Sequence, residues 1–223
     1  MNRHTAIAID GPSGAGKSTL ARAAAARLGF VYVDTGALYR TVGLFALRSG
    51  IDPDDAAAVE AMLPQVQVGL AYRDGEQRVF LGGEDVSEAI RTPEASRYAS
   101  KVSAIPAVRA FLLETQRRMA RENSVVMDGR DIGTVVLPDA KIKIFLHASA
   151  EDRARRRFEE LQARGTPQPY DEVLADIRER DERDENRAAA PLRRADDAID
   201  LDTTGNTLEQ SRALLIRTVR ERL

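Results

Sequence analysis

A glycine-rich stretch near the start of the chain constrains the fold more than any other feature. Residues Gly11 to Ser18 read Gly-Pro-Ser-Gly-Ala-Gly-Lys-Ser and fit the pattern G-x-x-x-x-G-K-[ST]. The apolar run Ala6 to Ile9 before it is typical of a buried strand. Helix-forming residues follow from Thr19 to Leu28, and Gly29 is placed to end that helix. Strand, glycine loop and helix in this order indicate a phosphate-binding loop.

The residue types in this loop suit a nucleoside triphosphate. Its glycines allow the backbone N–H groups to turn inward, and the helix adds its positive N-terminal end. Lys17 is expected to reach the β- and γ-phosphates, and the Ser18 hydroxyl is expected to ligate Mg²⁺. The predicted ATP-binding residues are Gly11, Pro12, Ser13, Gly14, Ala15, Gly16, Lys17, Ser18 and Thr19.

The composition narrows the classes of partner. Charged residues make up 30% of the 223 residues but nearly balance, for a net charge of −2, so no overall field draws the protein to nucleic acid or to an anionic membrane. The chain has no cysteine, which excludes disulfides and thiolate metal sites. No signal peptide is visible, and no apolar run approaches the length of about 20 residues that spans a bilayer. We therefore expect a monomeric cytoplasmic protein that acts on small molecules.

Strands alternate with helices along most of the chain. This order predicts an α/β fold, with a three-layer P-loop core around a five-stranded parallel sheet. The predicted strands are Ala6 to Ile9, Phe30 to Val33, Ser124 to Met127, Ile142 to Leu146 and Ala198 to Leu201. The predicted helices after the first cover about 37–48, 54–63, 93–104, 106–122, 149–164, 171–187 and 208–223.

A different pattern interrupts this order. Apolar and polar residues alternate from Val66 to Tyr72 and again around Val79 and Leu81, and Asp74-Gly75 between them is a hairpin signal. The sequence therefore predicts a small antiparallel insert.

Two further strands end in residues that suit phosphate chemistry. Asp34-Thr35-Gly36 and Asp128 to Asp131 follow strands whose carboxyl ends meet the phosphate loop at one edge of a parallel sheet. Asp34 or Asp128 is placed to hold water on Mg²⁺, and the sequence does not choose between them.

Two groups of arginines are spaced to share helix faces. Arg153, Arg156 and Arg157 form one group, and Arg180 and Arg187 form another around Asp184. They suit a solvated face held by ion pairs, but beside a phosphate loop they also suit a clamp on a transferring phosphoryl group.

These motifs, taken in order, resemble those of the bacterial cytidylate kinases, a branch of the nucleoside monophosphate kinases. Besides the phosphate loop, the matching stretches are Asp34-Thr35-Gly36-Ala37-Leu38-Tyr39-Arg40, Gly82-Gly83-Glu84-Asp85-Val86-Ser87, Asp128-Gly129-Arg130-Asp131-Ile132-Gly133-Thr134, Lys143-Ile144-Phe145-Leu146, and Arg180-Asp181 through Asp184 to Asn186-Arg187-Ala188.

The resemblance implies transfer of the ATP γ-phosphoryl group to CMP or dCMP with Mg²⁺. It also implies one kinase domain over 1–223, with a monophosphate-binding insert at about 65–105 and a helical lid at about 150–169. Catalytic roles are implied for Lys17 and Arg130, with Arg153 and Arg157 as lid arginines that close over the phosphates. The implied acceptor contacts are Thr35, Arg40, Ser100, Arg109, Arg130, Asp131, Arg180, Asp184 and Arg187.

The sequence leaves alternatives open for the base contact and for the function. Asp131 and Asp184 are both candidates to accept from the amino group of cytosine. A P-loop kinase for another monophosphate or for a metabolite such as shikimate is the nearest alternative. A nucleotide-dependent switch is a third, although the chain has no Asn-Lys-x-Asp stretch of the kind that reads guanine in GTPases.

Overall fold

A computed structural model describes residues 4–73 and 76–223. Eight strands fall within these residues, and the five predicted from sequence are all present to within about two residues at each end. The strands are β1 (Ala6–Asp10), β2 (Val31–Asp34), β3 (Val68–Arg73), β4 (Glu76–Leu81), β5 (Glu84–Asp85), β6 (Val125–Gly129), β7 (Ile142–His147) and β8 (Ile199–Asp202).

The main sheet has five parallel strands in the order β2-β6-β1-β7-β8. The three central strands, β6, β1 and β7, are rich in buried apolar residues, because helices cover both faces. One core cluster on β1 and β7 includes Ile7, Ile144 and Leu215, and a second on β6 includes Val125 and Met127. The predicted three-layer α/β core is therefore confirmed.

Eight α-helices cover or extend this sheet within the described residues. They are α1 (Lys17–Leu28), α2 (Thr35–Arg48), α3 (Ala56–Met62), α4 (Pro93–Val102), α5 (Pro106–Glu122), α6 (Ala150–Ala163), α7 (Tyr170–Asn186) and α8 (Leu208–Arg220). A turn of π-helix at Ile132–Val136 was not predicted from the sequence.

Capping side chains explain several of the helix starts. Asp34 accepts from the Ala37 backbone N–H, and α2 therefore begins at Thr35, two residues earlier than predicted. Ser149 accepts from the Asp152 backbone N–H, as its position before α6 predicts. A left-handed glycine, Gly29, ends α1 as expected.

The predicted antiparallel insert is confirmed as a separate sheet in the order β3-β4-β5. The predicted turn at Asp74-Gly75 lies outside the described residues. The third strand, β5, was missed because two exposed residues carry no alternation that sequence can detect.

The insert and α4 pack against α2 in one hydrophobic cluster. A Cβ atom on Gly43 in α2 would lie 2.8 Å from the backbone nitrogen of Ala99 in α4. This glycine is therefore what allows the two helices to approach so closely.

The region predicted as a lid, about 150–169, contains α6 and the segment that leads into α7, and α6 packs against α7. Ala154, Leu161, Val173 and Ile177 form a small cluster between them. Among the described residues, no helix combines the length and the apolar character needed to cross a membrane.

Candidate active site

One large cavity opens at the carboxyl ends of the main-sheet strands, with a volume of about 800 Å³. The phosphate loop forms its floor, and the residues predicted for the acceptor surround it. All of these predicted residues line the same cavity: Thr35, Arg40, Ser100, Arg109, Arg130, Asp131, Arg180, Asp184 and Arg187. The stretches that follow β2 and β6 therefore converge as the sheet topology predicts, with Thr35 and Asp128 in contact across 93 positions in sequence.

The phosphate loop is packed closely on the sheet. A Cβ atom on Gly11 would lie 1.9 Å from the carbonyl oxygen of Leu146 in β7, so no other residue fits there. Gly14 and Gly16 have φ angles of 75° and 84°, in the left-handed region that glycine tolerates. Together these glycines shape the loop into a cradle for phosphate oxygens.

Lys17 is held across this loop. Its Nζ donates to the Pro12 carbonyl oxygen at 2.6 Å, and the residue is only 6% exposed. Burial, followed by the charge of Arg130, lowers the pKa of Lys17 well below its ordinary value. A triphosphate would stabilise the charged form of this lysine.

Ser18 and Asp128 lie together beside the loop. The Ser18 hydroxyl donates to Asp128 Oδ2 at 2.8 Å, and Tyr32 donates to Asp128 Oδ1 at 3.1 Å. Burial, with a further contribution from Asp34, raises the pKa of Asp128 to about 6. Of the two carboxylates that the sequence left open, the structure brings Asp128 to Ser18.

Asp34 instead serves α2. One of its carboxylate oxygens caps the helix at Ala37, and the other pairs with Arg40 at 2.7 Å. The Arg40 Nε is buried without a hydrogen-bond partner in the described part of the chain. Thr35, next to Asp34, donates to the Asp128 carbonyl oxygen at 2.7 Å and ties the two motifs together.

On one side of the cavity, the charges of Arg130 and Arg180 both act on the Asp184 carboxylate. The Nε of Arg130 donates to Asp184 Oδ2 at 2.8 Å. Burial alone would raise the pKa of Asp184, but the charges of Arg130 and Arg180 outweigh it, and the pKa is lowered. Burial and the nearby Arg130 charge lower the pKa of Arg180 to about 10, and its Nε finds no partner among the described residues.

A second charged group surrounds Asp131. Arg109 hydrogen-bonds to Asp131 Oδ2 and also donates to the Ser103 carbonyl oxygen. Arg187 lies 3.7 Å from the other oxygen of Asp131, and its Nε donates to the Ala190 carbonyl oxygen at 2.6 Å. Asp131 and Asp184 are both buried next to arginines, so the geometry leaves both as candidates to read the base.

Arg153, Arg156 and Arg157 of α6 have different partners, although their spacing predicted one shared face. Arg156 pairs with Asp152 at 2.7 Å and donates to the Thr203 carbonyl oxygen. Arg157 lies 3.4 Å from Glu160 and lines a smaller cavity of about 380 Å³ that also reaches Ser18.

Arg153, the other predicted lid arginine, is held differently from Arg157. It is only 4% exposed, and it donates to the Ser13 and Ala148 carbonyl oxygens at 3.0 and 2.9 Å. Both oxygens of Asp181 in α7 also accept from it. The side chain is thus held beside the phosphate loop by four acceptors, and its closing over the phosphates stays a prediction.

Sequence reasoning missed Asp10 as a site residue. Its carboxylate accepts from the Ile132 and Gly133 backbone N–H groups, each at 2.7 Å, and so holds the loop that carries Arg130 and Asp131. Burial raises the pKa of Asp10 to about 6. Its position between a buried strand and the phosphate loop was the available signal.

The main-sheet topology, the glycine loop with its buried lysine, and the arginine-lined cavity facing that loop define a P-loop kinase. The cytidylate kinase family model matches residues 7–221, and two curated cytidylate kinases match nearly the whole chain. The chain therefore belongs to the cytidylate kinase family.

The relatives match along their full lengths. The cytidylate kinase of Geobacter sulfurreducens is 50% identical over 97% of this chain and 93% of its own. That of Pasteurella multocida is 46% identical over 100% of this chain and 98% of its own. Among solved structures, an uncharacterised protein from Eubacterium ventriosum covers 99% of this chain and 100% of its own with a TM-score of 0.56 and 14% identity, which is a likeness of fold alone.

Proposed function

We propose that this protein transfers the γ-phosphoryl group of ATP to CMP or dCMP, giving CDP or dCDP and ADP. The observation that carries the proposal is one cavity in which a phosphate loop and a set of half-buried arginines come together. In this reaction an oxygen of the acceptor monophosphate bonds to the γ-phosphorus, and the bond from that phosphorus to the β–γ bridging oxygen breaks. The bridging oxygen leaves on ADP.

The chain's residues would act by position and charge. Phosphoryl transfer spreads negative charge over the equatorial oxygens, so catalysis depends on cations already fixed around them. Lys17 lies at the loop, while Arg40 and Arg180 each keep a buried Nε–H that has no acceptor among the described residues. We assign these two groups to the acceptor phosphate.

Mg²⁺ is the metal that this function implies, and the residues present fit it. The Ser18 hydroxyl and the Asp128 carboxylate are 2.8 Å apart and offer oxygen ligands, which Mg²⁺ prefers. In the described residues, no group of three or more metal-ligating side chains is present, in keeping with a metal that takes its remaining ligands from phosphates and water. When bound, Mg²⁺ would neutralise charge on the β- and γ-phosphates.

A coupled assay of ADP release with ATP, Mg²⁺ and a panel of acceptors tests the proposed function. We expect turnover with CMP and dCMP, less with UMP, and none with AMP, GMP or shikimate. A preference for another monophosphate or for shikimate would replace the proposed acceptor. ADP release that does not depend on any acceptor would indicate a nucleotide-dependent switch.

Base reading is tested in the same assay. If Asp184 accepts from the amino group of cytosine, Asp184→Ala should lower kcat/KM for CMP by about 10- to 100-fold, corresponding to roughly 1–3 kcal/mol. UMP lacks that amino group and should lose less. An equal fall for both acceptors would mean that Asp184 only orients Arg130, and the base contact would pass to Asp131.

The predicted insert at about 65–105 contributes Ser100 to the acceptor contacts, and the predicted lid at about 150–169 carries the closing arginine, Arg157. We place the reaction in pyrimidine nucleotide metabolism.

A further inference from the structure

The outer edge of β2 is covered by two side chains of the insert. β2 is the edge strand of the main sheet, and its Val31 N–H donates to Ser124 on the inner side. Because backbone groups alternate along a strand, those of Tyr32 and Asp34 face away from β6. An uncovered strand edge of this kind leaves polar groups unpaired.

Tyr72 and Gln77 satisfy these groups. The Tyr72 hydroxyl donates to the Tyr32 carbonyl oxygen at 3.0 Å. The Gln77 side chain accepts from the Asp34 N–H at 3.0 Å and its amide nitrogen donates to the Asp34 carbonyl oxygen at 3.4 Å. Tyr72 and Gln77 lie directly opposite each other on β3 and β4. We name this pair the β2 clamp.

The residue held by the clamp also controls the acceptor side of the cavity. The Asp34 carboxylate caps α2 at Ala37 and pairs with Arg40 at 2.7 Å. Arg40 lines the large cavity and keeps one N–H without an acceptor in the described part of the chain. Any shift of the Asp34 backbone would therefore move the start of α2 and the guanidinium of Arg40 together.

We infer that the β2 clamp positions Asp34, and through it Arg40, for the acceptor nucleotide. Gln77 and Tyr72 are thus positioning residues that act on acceptor binding without touching the acceptor. The inference rests on the proposed function, in which Arg40 holds the acceptor phosphate. Gln77 lines the smaller cavity together with Ser18. The hydrogen bonds of the clamp go to Tyr32 and Asp34 and not to the phosphate loop, so ATP binding should depend on the clamp less than acceptor binding does.

Steady-state kinetics of three variants test the functional part. We expect Gln77→Ala to raise KM for CMP by about three- to tenfold, the effect of one or two net hydrogen bonds, with KM for ATP within twofold of wild type. Tyr72→Phe, which removes only the hydroxyl, should raise KM for CMP less. Gln67→Ala is the matched control, since Gln67 is an exposed glutamine just before β3.

A combined variant tests whether the two side chains act as one unit. The increase in KM for CMP in Tyr72→Phe/Gln77→Ala should be smaller than the product of the two single increases, because each bond needs the hairpin that the other holds. An unchanged KM for CMP in Gln77→Ala, or equal increases for CMP and ATP, would overturn the positioning role.

Amide exchange separates the clamp from the proposed function. In Gln77→Ala the Asp34 amide, which loses its acceptor, should exchange at least tenfold faster by NMR, while the Ala8 amide in β1 should not change. Unchanged exchange at Asp34 would refute the clamp itself. A wild-type protein that does not use CMP would refute the proposed function, and the exchange result would still decide whether the clamp exists.

Discussion

Buried charge dominates the molecule at the scale of single residues. Lys17, Asp128, Asp131 and Asp184 are each no more than 6% exposed. A buried charge is costly unless it is paired, and here Asp131 and Asp184 are paired with arginines while Asp10 and Asp128 respond with a raised pKa. Such an arrangement costs stability in the free protein and prepares the cavity for anions.

Replacing Lys17 tests whether its buried charge lowers stability and promotes catalysis. We expect Lys17→Ala to lower kcat by at least about 100-fold, the scale of removing one preorganised charge from a transition state. The melting temperature should not fall, because the lowered pKa of Lys17 means that its burial as a cation opposes folding at neutral pH. Coupled kinetics and thermal unfolding measure the two effects.

The control for that variant is Lys141→Ala, which removes an exposed lysine just before β7. This variant should keep wild-type kinetics. Near-normal kcat in folded Lys17→Ala would refute the assignment of the phosphate loop.

The raised pKa of Asp128 predicts how stability varies with pH. Between its ordinary value of 3.8 and about 6, the carboxyl is ionised in the unfolded chain and protonated in the folded protein. The folded state then binds more protons, so this group lowers the free energy of unfolding as pH rises through that range. Asp128→Asn removes the effect and should gain stability relative to wild type between pH 4 and pH 7.

Thermal unfolding without Mg²⁺ or nucleotide at several pH values measures this difference. Activity should move the opposite way in wild type, falling as pH drops below about 6 because the ionised carboxylate is the form that suits Mg²⁺. A stability difference that stays constant from pH 4 to pH 7 would show that Asp128 is already ionised in the folded protein at pH 4.

At the scale of elements, a strained turn after α7 directs a backbone carbonyl to Arg187, which lines the cavity. Ala190 has a φ of 49° and is the one non-glycine residue with positive φ in the described part of the chain. Its carbonyl oxygen accepts from Arg187 Nε at 2.6 Å, and the Leu192 N–H donates to the Asp184 carbonyl oxygen nearby. These two hydrogen bonds hold Ala190 in its strained backbone conformation, and the turn thereby fixes the position of the Arg187 side chain.

Glycine should relieve this strain. We expect Ala190→Gly to stabilise the protein by up to about 1 kcal/mol, because relief of the left-handed Cβ penalty, about 1–2 kcal/mol, exceeds the chain-entropy cost of glycine, about 0.5–1 kcal/mol. KM for CMP should not change, since glycine adopts the same backbone angles. Ala189→Gly is the neighbouring control and should destabilise the protein by about 0.5–1 kcal/mol through chain entropy. Chemical denaturation of both variants gives the comparison, and a destabilised Ala190→Gly would contradict the strain.

At the scale of the whole molecule, three bodies surround one cavity. The main sheet carries the phosphate loop, the insert packs on α2, and the α6–α7 pair has its own small cluster. Arg153 bonds to Ser13 in the loop and to Asp181 in α7, so the start of α6 is anchored to the core. The end of α6 carries exposed residues and has no comparable anchor within the described chain.

Hydrogen exchange tests whether α6 and the segment after it close as a lid. We expect a bisubstrate analogue that joins the two nucleotides to slow exchange in Ala150 to Pro169, most strongly after Arg157 and least in the first turn that Arg153 anchors. Exchange in β1 serves as the internal control. Unchanged exchange throughout Ala150 to Pro169 would exclude closure.

The sequence by itself determined the local elements and the kind of chemistry. The five main strands, the phosphate loop and the antiparallel insert follow from patterns spanning fewer than about 20 residues, where neighbours in sequence are neighbours in space. The matching motifs also led to the family and to the residues that line the cavity. The cytoplasmic location and the monomeric state stay predictions.

Only the tertiary structure decided how distant residues pair. Ser18 meets Asp128 across 110 positions, Arg153 turns toward Ser13 across 140, and Gln77 reaches Asp34 across 43. Helical spacing placed Arg153 beside Arg157. It could not show that four acceptors hold Arg153 in a buried position, whereas Arg157 stays near the surface beside Glu160. Side-chain direction on a shared face depends on these long-range partners, because buried donors and acceptors must be satisfied wherever the fold brings them together.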